Sequence, residues 1–139
     1  MAARMVKTGV KNYLTAVLKT AGTPEDKEVF LFSNNFTITD VTVNASLTPI
    51  TTAGGQKQTL TKALWAGATS TAASPSVCRY YGTTGVAFAF TGTLAVYGYG
   101  IRGVTSLDLI GAENFGLKNY VNGQNLKLNP LELKLNIPA

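Results

Sequence analysis

Few residues in this chain could do chemistry. Its 139 residues include no histidine, one cysteine and seven carboxylates. Without histidine, the Ser/His/Asp and Cys/His nucleophile arrangements are gone, and so is the commonest metal ligand. Cys78 stands between Val77 and Arg79 in a strand-like pattern and reads as an inert, small core residue. Being alone, it can form no intrachain disulfide, which points to folding in a reducing compartment. Three carboxylates fall within Glu25-Asp26-Lys27-Glu28, read as a short solvated connector. Asp108 and Glu113 lie five residues apart and could meet in space, but separate surface charges or a structural pair outweigh a glycosidase-like acid pair. The run Gly98-Tyr99-Gly100-Ile101-Arg102-Gly103 has the spacing of a dinucleotide-binding loop. No helical pattern opens after it and its neighbours read as strands, so its glycines are assigned to close packing. The expectation is a non-enzyme with no catalytic residue, no cofactor and no metal.

Recognition is the remaining class of chemistry. Tyr80, Tyr81, Tyr97 and Tyr99 lie near Arg79 and Arg102, as rings for stacking single-stranded bases would, although a sheet face or subunit contact explains amphipathic tyrosines better. The net charge is +5, and Arg4, Lys7, Lys11 and Lys19 give the first twenty residues four positive charges without an acid. A basic arm of this kind can seek nucleic acid, a membrane surface or an acidic protein face. The candidate partner-contact residues are therefore Arg4, Lys7, Lys11, Tyr13, Tyr97, Tyr99 and Arg102.

These residues need elements to hold them. Residues 4–20 form the one helical candidate, with Val6, Val10, Tyr13, Leu14 and Val17 on a single stripe. Ala21-Gly22-Thr23-Pro24 ends it with a capping glycine and a proline beyond. The expected division is a helical arm over 1–22 and a β domain over 23–139. The β reading rests above all on 85–115. Val86, Phe88 and Phe90 recur every second residue, a Thr-Gly-Thr turn follows, and Leu94 to Ile101 resumes the alternation. Phe88, Phe90, Leu94 and Val96 are the expected core. Ala and Gly between the large residues imply close packing by a second sheet or another subunit. Gly103 and Gly111 are read as breaks.

Val29–Phe32 reads as a short apolar strand, and Phe36 to Ala45 as another whose phase slips near Asp40. Thr48–Gln56 reads as a loop, Thr59–Trp65 as a strand, and Ala66–Ser76 as a long surface loop. At the far end Leu131, Leu133, Leu135 and Ile137 alternate with polar residues, while Leu126 and Leu128 sit in the opposite phase across Pro130. Seven or eight short strands at this spacing predict an antiparallel β-sandwich, jelly-roll-like, with one N-terminal helix. Charged residues are only 14% of the chain, against about 25% in ordinary soluble domains, which suggests that much of the surface meets other protein. No apolar run reaches the ~18 residues of a membrane span, and the N-terminus lacks the pattern of a signal peptide.

The order of segments resembles a group of small virion proteins of tailed bacteriophages. GVKNYLTAVLK is followed by VFLFSNNFTIT, then LTKALW, the FAF strand, VYGYGIRGVTSLDLIGAENF and NGQNLKLNPLELKLNI, and together they span roughly Gly9 to Ile137. The recurring motifs are a strand ending in LF-x-N-N and a VYGY…L…AE-F segment. The resemblance implies a capsid decoration or minor capsid component, a small β-sandwich that is commonly trimeric and cements a shell of major capsid protein. It implies the virion surface as the location, after folding in the host cytoplasm, and carries over no catalytic residue. The alternatives are a tail or neck component or, from another class, a nucleic-acid-binding module using the basic arm. No membrane partner is expected.

Overall fold

The computed structural model describes residue 18, 26–39, 41–66, 69–70 and 76–136. Nine strands lie among the described residues: β1 (Lys27–Phe32), β2 (Gln58–Leu60), β3 (Thr69–Ser70), β4 (Ser76–Tyr81), β5 (Val86–Ala89), β6 (Leu94–Gly103), β7 (Leu109–Tyr120), β8 (Asn125–Leu128) and β9 (Leu131–Asn136). The chain is mainly β, and its sheets are antiparallel. It forms two compact units, one of 61–86 and 129–139 with the N-terminal segment, the other of 25–60 and 87–128. The boundary expected near residue 22, and the helix expected over 4–20, lie outside the described residues except for Leu18, which is helical and fully buried.

The larger unit carries a four-stranded sheet in the order β2-β1-β6-β7 and the β5-β8 ribbon. All six residues of β1 are buried, so the strand is covered on both faces. Its register against β6 pairs Glu28 with Arg102, Phe30 with Gly100 and Phe32 with Gly98. These are alternate residues and share one face. The glycines therefore lie under the phenyl rings. A Cβ on Gly100 would stand 2.6 Å from Phe30 Cζ, and one on Gly98 would stand 2.5 Å from Phe32 Cζ. The expected close packing is real, but its source is the neighbouring strand's rings rather than a second sheet or another subunit. Leu47 closes the cluster, with Phe36, Ile38, Tyr97, Leu109 and Ala112 packed around it. Burying two phenylalanines supplies about 3–6 kcal/mol of transfer free energy.

The ladder of β6 with β7 is interrupted twice, between Val96 and Gly98 and between Ile101 and Arg102. At the first, Tyr97 faces Phe115, Gly116 and Leu117, and Gly116 takes a φ of +84° that favours glycine. At the second, Ile110 is the extra residue. Gly103 ends β6 as expected, whereas Gly111 lies within β7 opposite Ile101. Val86, Phe88, Phe90 and Val96 are buried as the alternation predicts, and Leu94 is half-buried.

Several expectations fail in the same region. Lys27 and Glu28 open β1 and are buried, not solvated, and the Glu28 carboxylate meets Arg102 on the neighbouring strand. Phe36 to Ala45 is no strand. Asn34 Nδ2 donates to the Ser46 carbonyl at 2.9 Å and its Oδ1 accepts from Thr48 N–H at 2.7 Å, and a turn closes from Thr42 N–H to the Thr39 carbonyl. Within 36–45 the Phe36 carbonyl also accepts from Asn114 Nδ2 at 2.8 Å and Thr39 N–H donates to Thr42 Oγ1 at 2.8 Å, so backbone groups that a ladder would need there are taken locally. Asp40 itself lies outside the described residues. The strand expected over Thr59–Trp65 is only β2, followed by a 3-10 turn over Lys62–Leu64.

The smaller unit carries the sheet β3-β4-β9. Within the segment expected to be loop, Thr69–Ser70 pairs with Cys78 and Val77. Trp65 is fully buried and meets the Tyr81 ring edge-on, centroids 5.4 Å apart. The Tyr81 hydroxyl accepts from Thr61 N–H at 3.1 Å, and Gly82 N–H donates to the Leu64 carbonyl at 2.8 Å. Leu131 and Leu133 are buried, while Pro130 follows a cis peptide bond between β8 and β9.

Two glycine variants separate ring contact from backbone contact. Gly100→Ala should lower stability by about 1–3 kcal/mol, since the Phe30 ring can give only slightly in a filled core. Gly98→Ala should cost more, because its Cβ would also overlap the Glu113 carbonyl, which cannot rotate away. Urea melts of both variants check this, and equal stabilities would show that the strands are paired in another register.

Candidate functional site

The densest polar constellation grows from the same cross-strand pairing. Arg102 Nε donates to Glu28 Oε1 at 2.8 Å, and Arg102 NH1 donates to Asn44 Oδ1 at 2.8 Å. The guanidinium lies over the Phe30 ring, 4.3 Å from its centroid. Glu28 Oε2 receives Lys57 Nζ at 3.1 Å. Glu28 is 1% exposed and Arg102 7%, whereas the Lys57 side chain is 52% exposed. A buried carboxylate is thus held by two cations, one inside the sheet and one at its surface. Asn44 and the Phe30 face satisfy the guanidinium further, which such burial requires.

A second polar device fixes the loop beyond β1. Asn114 Nδ2 donates to the Phe36 carbonyl at 2.8 Å and to Asn35 Oδ1 at 3.2 Å, while Asn114 Oδ1 accepts from Gly116 N–H at 2.8 Å. Asn34 grips Ser46 and Thr48, as above. The Leu31-Phe32-Ser33-Asn34-Asn35 and Ala112-Glu113-Asn114-Phe115 segments therefore interlock. Beside them, the turn joining β6 to β7 holds Leu107 at a φ of +60°, 40% exposed. A branched side chain in the left-handed region is strained, and exposure gives it no packing in return. Leu107 shares a surface cleft with Val43, 56% exposed, and with Asp108; Val41 is 80% exposed.

Of the residues expected to meet partners, Arg4, Lys7, Lys11 and Tyr13 lie outside the described residues. Tyr97 is half-buried against the phenylalanine cluster. Tyr99 is half-buried and donates its hydroxyl to Glu113 Oε2 at 3.0 Å. Arg102 serves the internal ion pair. Arg79 is buried with NH1 on the Ala66 carbonyl, and burial pushes its guanidinium below the ordinary value. With Arg79, Arg102 and Tyr81 buried, those residues form no open platform for stacked bases. Gly98–Gly103 lies inside β6, so it is not a phosphate-binding turn.

Sequence reasoning missed Glu28, Asn44 and Lys57. A signal for the first was present: Glu28, Phe30 and Phe32 alternate in one phase, as do Gly98, Gly100 and Arg102. Among the described residues no group of three or more His, Cys, Asp or Glu could hold a metal ion, and no helix is long and apolar enough to cross a membrane. No family model, curated protein or solved structure matches the chain.

Removing one side of the ion pair should be far worse than removing both. Arg102→Met should cost about 3–5 kcal/mol by leaving Glu28 with Lys57 alone, and Glu28→Leu combined with Arg102→Met should recover most of that loss. Thermal melts of the two single variants and the double variant check this. Additive losses would mean that the two groups do not depend on each other.

Proposed function

We propose that this protein is a structural component of a tailed-bacteriophage virion, a decoration or cement protein that binds the lattice of major capsid protein as a homo-oligomer, most simply a trimer. The observation that carries the reading is the interlock of the two segments through which the chain resembles such proteins. LFSNN and AENF join through Asn35, Phe36 and Asn114, and VYGYGIRG is the strand between β1 and β7. The resemblance therefore falls on residues that hold the larger unit together. An antiparallel β body of low charge, with Val41, Val43 and Leu107 exposed, also supports binding to another protein, since interface cores are depleted of charge. No chemistry is assigned to it. Its work is to add contacts between capsid subunits that must resist the pressure of packaged DNA.

The contact surface we assign is the turn bearing Leu107 with Val43 beside it. A strained and exposed leucine is retained most readily where a partner covers it. Co-sedimentation with shells of the major capsid protein from the same genome tests the reading. The wild type should pellet saturably with shells, and light scattering should show an oligomer. Leu107→Gly should change stability by less than about 1 kcal/mol, because glycine accepts this φ, yet weaken pelleting several-fold. Failure of the wild type to pellet with shells would overturn the reading, and pelleting with tails alone would move the protein to the tail or neck. Retention on duplex DNA, lost steeply as salt rises, would favour the nucleic-acid alternative.

A further inference from the structure

The turn between β7 and β8 holds the one Asn-Gly pair in the sequence, Asn122-Gly123. Both residues are exposed, and no hydrogen bond holds the Asn122 side-chain amide among the described residues. Gln124 N–H closes the turn on the Val121 carbonyl at 3.1 Å. Gly123 takes a φ of +89°, which the third position of such a turn reserves for glycine. Asparagine is a thermolabile residue, and most so before glycine, which puts no side chain in the way of its own nitrogen.

In the closed turn that nitrogen is occupied. Gly123 N–H donates to the Phe90 carbonyl at 2.9 Å, and Phe90 N–H donates to the Gln124 carbonyl at 2.9 Å. These two bonds fasten the turn to the residue after β5. A third braces the turn internally, from Val121 N–H to Gln124 Oε1 at 2.9 Å. Phe90 is 2% exposed, and its ring lies 4.5 Å from that of Tyr120 at the end of β7. Val121 to Asn125 are all exposed, by contrast, so the turn belongs to the parts of the unit that open at low cost. An inner residue is thus held by an outer segment whose own chemistry is unguarded whenever it opens.

We propose that Asn122 is a site of spontaneous deamidation, gated by release of Gly123 N–H from the Phe90 carbonyl, and that the product unfastens Phe90 from the turn. Once released, the Gly123 nitrogen loses its proton and attacks Asn122 Cγ. A C–N bond forms, the side-chain nitrogen leaves as ammonia, and a five-membered succinimide remains. Water then opens the ring. Cleavage of the new bond gives aspartate, and cleavage of the original main-chain bond gives isoaspartate. One water is consumed and one ammonia released, with no oxidant or reductant. Because the nitrogen must lose its proton, conversion quickens as pH rises. Either product adds a carboxylate to the turn. Isoaspartate also routes the main chain through Cβ, so Gly123 N–H no longer meets the Phe90 carbonyl while Gln124 closes on Val121. The step is one-way, and it stands independently of the virion reading.

Mass spectrometry of the full chain aged at mildly alkaline pH tests the proposal, with the free peptide 119–127 aged beside it. Trypsin releases the same residues from the full chain, since Lys118 and Lys127 bound them. Aspartate and isoaspartate should accumulate at position 122 in the full chain, at least about tenfold more slowly than in the peptide, where nothing holds the Gly123 nitrogen. Gln124→Ala removes the brace on Val121 and should speed conversion several-fold, and unchanged amide spectra elsewhere will show that the body is intact. Asn122→Ser should abolish conversion at that position. In the aged protein, hydrogen exchange of the Phe90 amide should quicken by at least about tenfold. No product at Asn122 in the full chain after the peptide has converted, or conversion at Asn119 or Asn125 in its place, would overturn the proposal. So would equal rates in chain and peptide, or a Phe90 amide that exchanges as slowly after conversion as before.

Discussion

Three cross-strand pairs set the form of the larger unit: Glu28 with Arg102, Phe30 with Gly100 and Phe32 with Gly98. Because side chains alternate along a strand, one register places all three pairs on a single face, and a slip of one residue would send them to the other. The glycines leave room for the rings, and the rings cover backbone that glycine would otherwise expose. The guanidinium then lies over Phe30 and reaches Glu28 and Asn44. Packing and polarity thus enforce the same register. A shifted strand would bury Glu28 without its cation, at a cost of several kcal/mol per ion.

That register positions everything else described in the unit. With β1 held between β2 and β6, the residues after Phe32 leave the sheet where Asn34 and Asn114 can seize them, and Asn44 arrives beside Arg102. Lys57 sits just before β2 and reaches Glu28 from outside. Strands far apart in sequence have to find each other for this to form, as β1 and β6 do across more than sixty residues. Such non-local pairing makes slow folding expected, and a buried charge pair that tolerates only one register guards against mispairing along the way.

Much of this could be read from the chain alone. Alternation at Val86–Phe90, Leu94–Ile101 and Leu131–Leu133 marks strands, because one set of alternate residues is more deeply buried than the other over most of each run. Small residues in β6 announced a close neighbour, though missing volume cannot say what fills it. Glu28 is easily passed over despite its shared phase with Phe30 and Phe32: a charge beside other charges looks solvated until its partner, 74 residues away, is known. Phe36–Ala45 misled in the opposite sense. Its alternation is real, but the Asn114 side chain and the Thr39–Thr42 turn take backbone groups there. The second half of β7 has mostly exposed residues and so lacks the alternation that marks a half-buried strand. Of the candidate site, Tyr99 and Arg102 were visible as residues, but their engagement with Glu113 and Glu28 was not.

The most direct measurement is the proton NMR of the two β6 glycines. With the tips of the Phe30 and Phe32 rings against Gly100 and Gly98, the Hα protons of both should be displaced by ring currents from those of ordinary strand glycines, and each should show an Overhauser contact to its own ring. Replacing Phe30 with leucine should return Gly100 alone toward the ordinary position. Glycine shifts near the unperturbed value in the wild-type protein, or contacts joining Phe30 to Gly98, would contradict the register on which the ion pair and the loop clamp both depend.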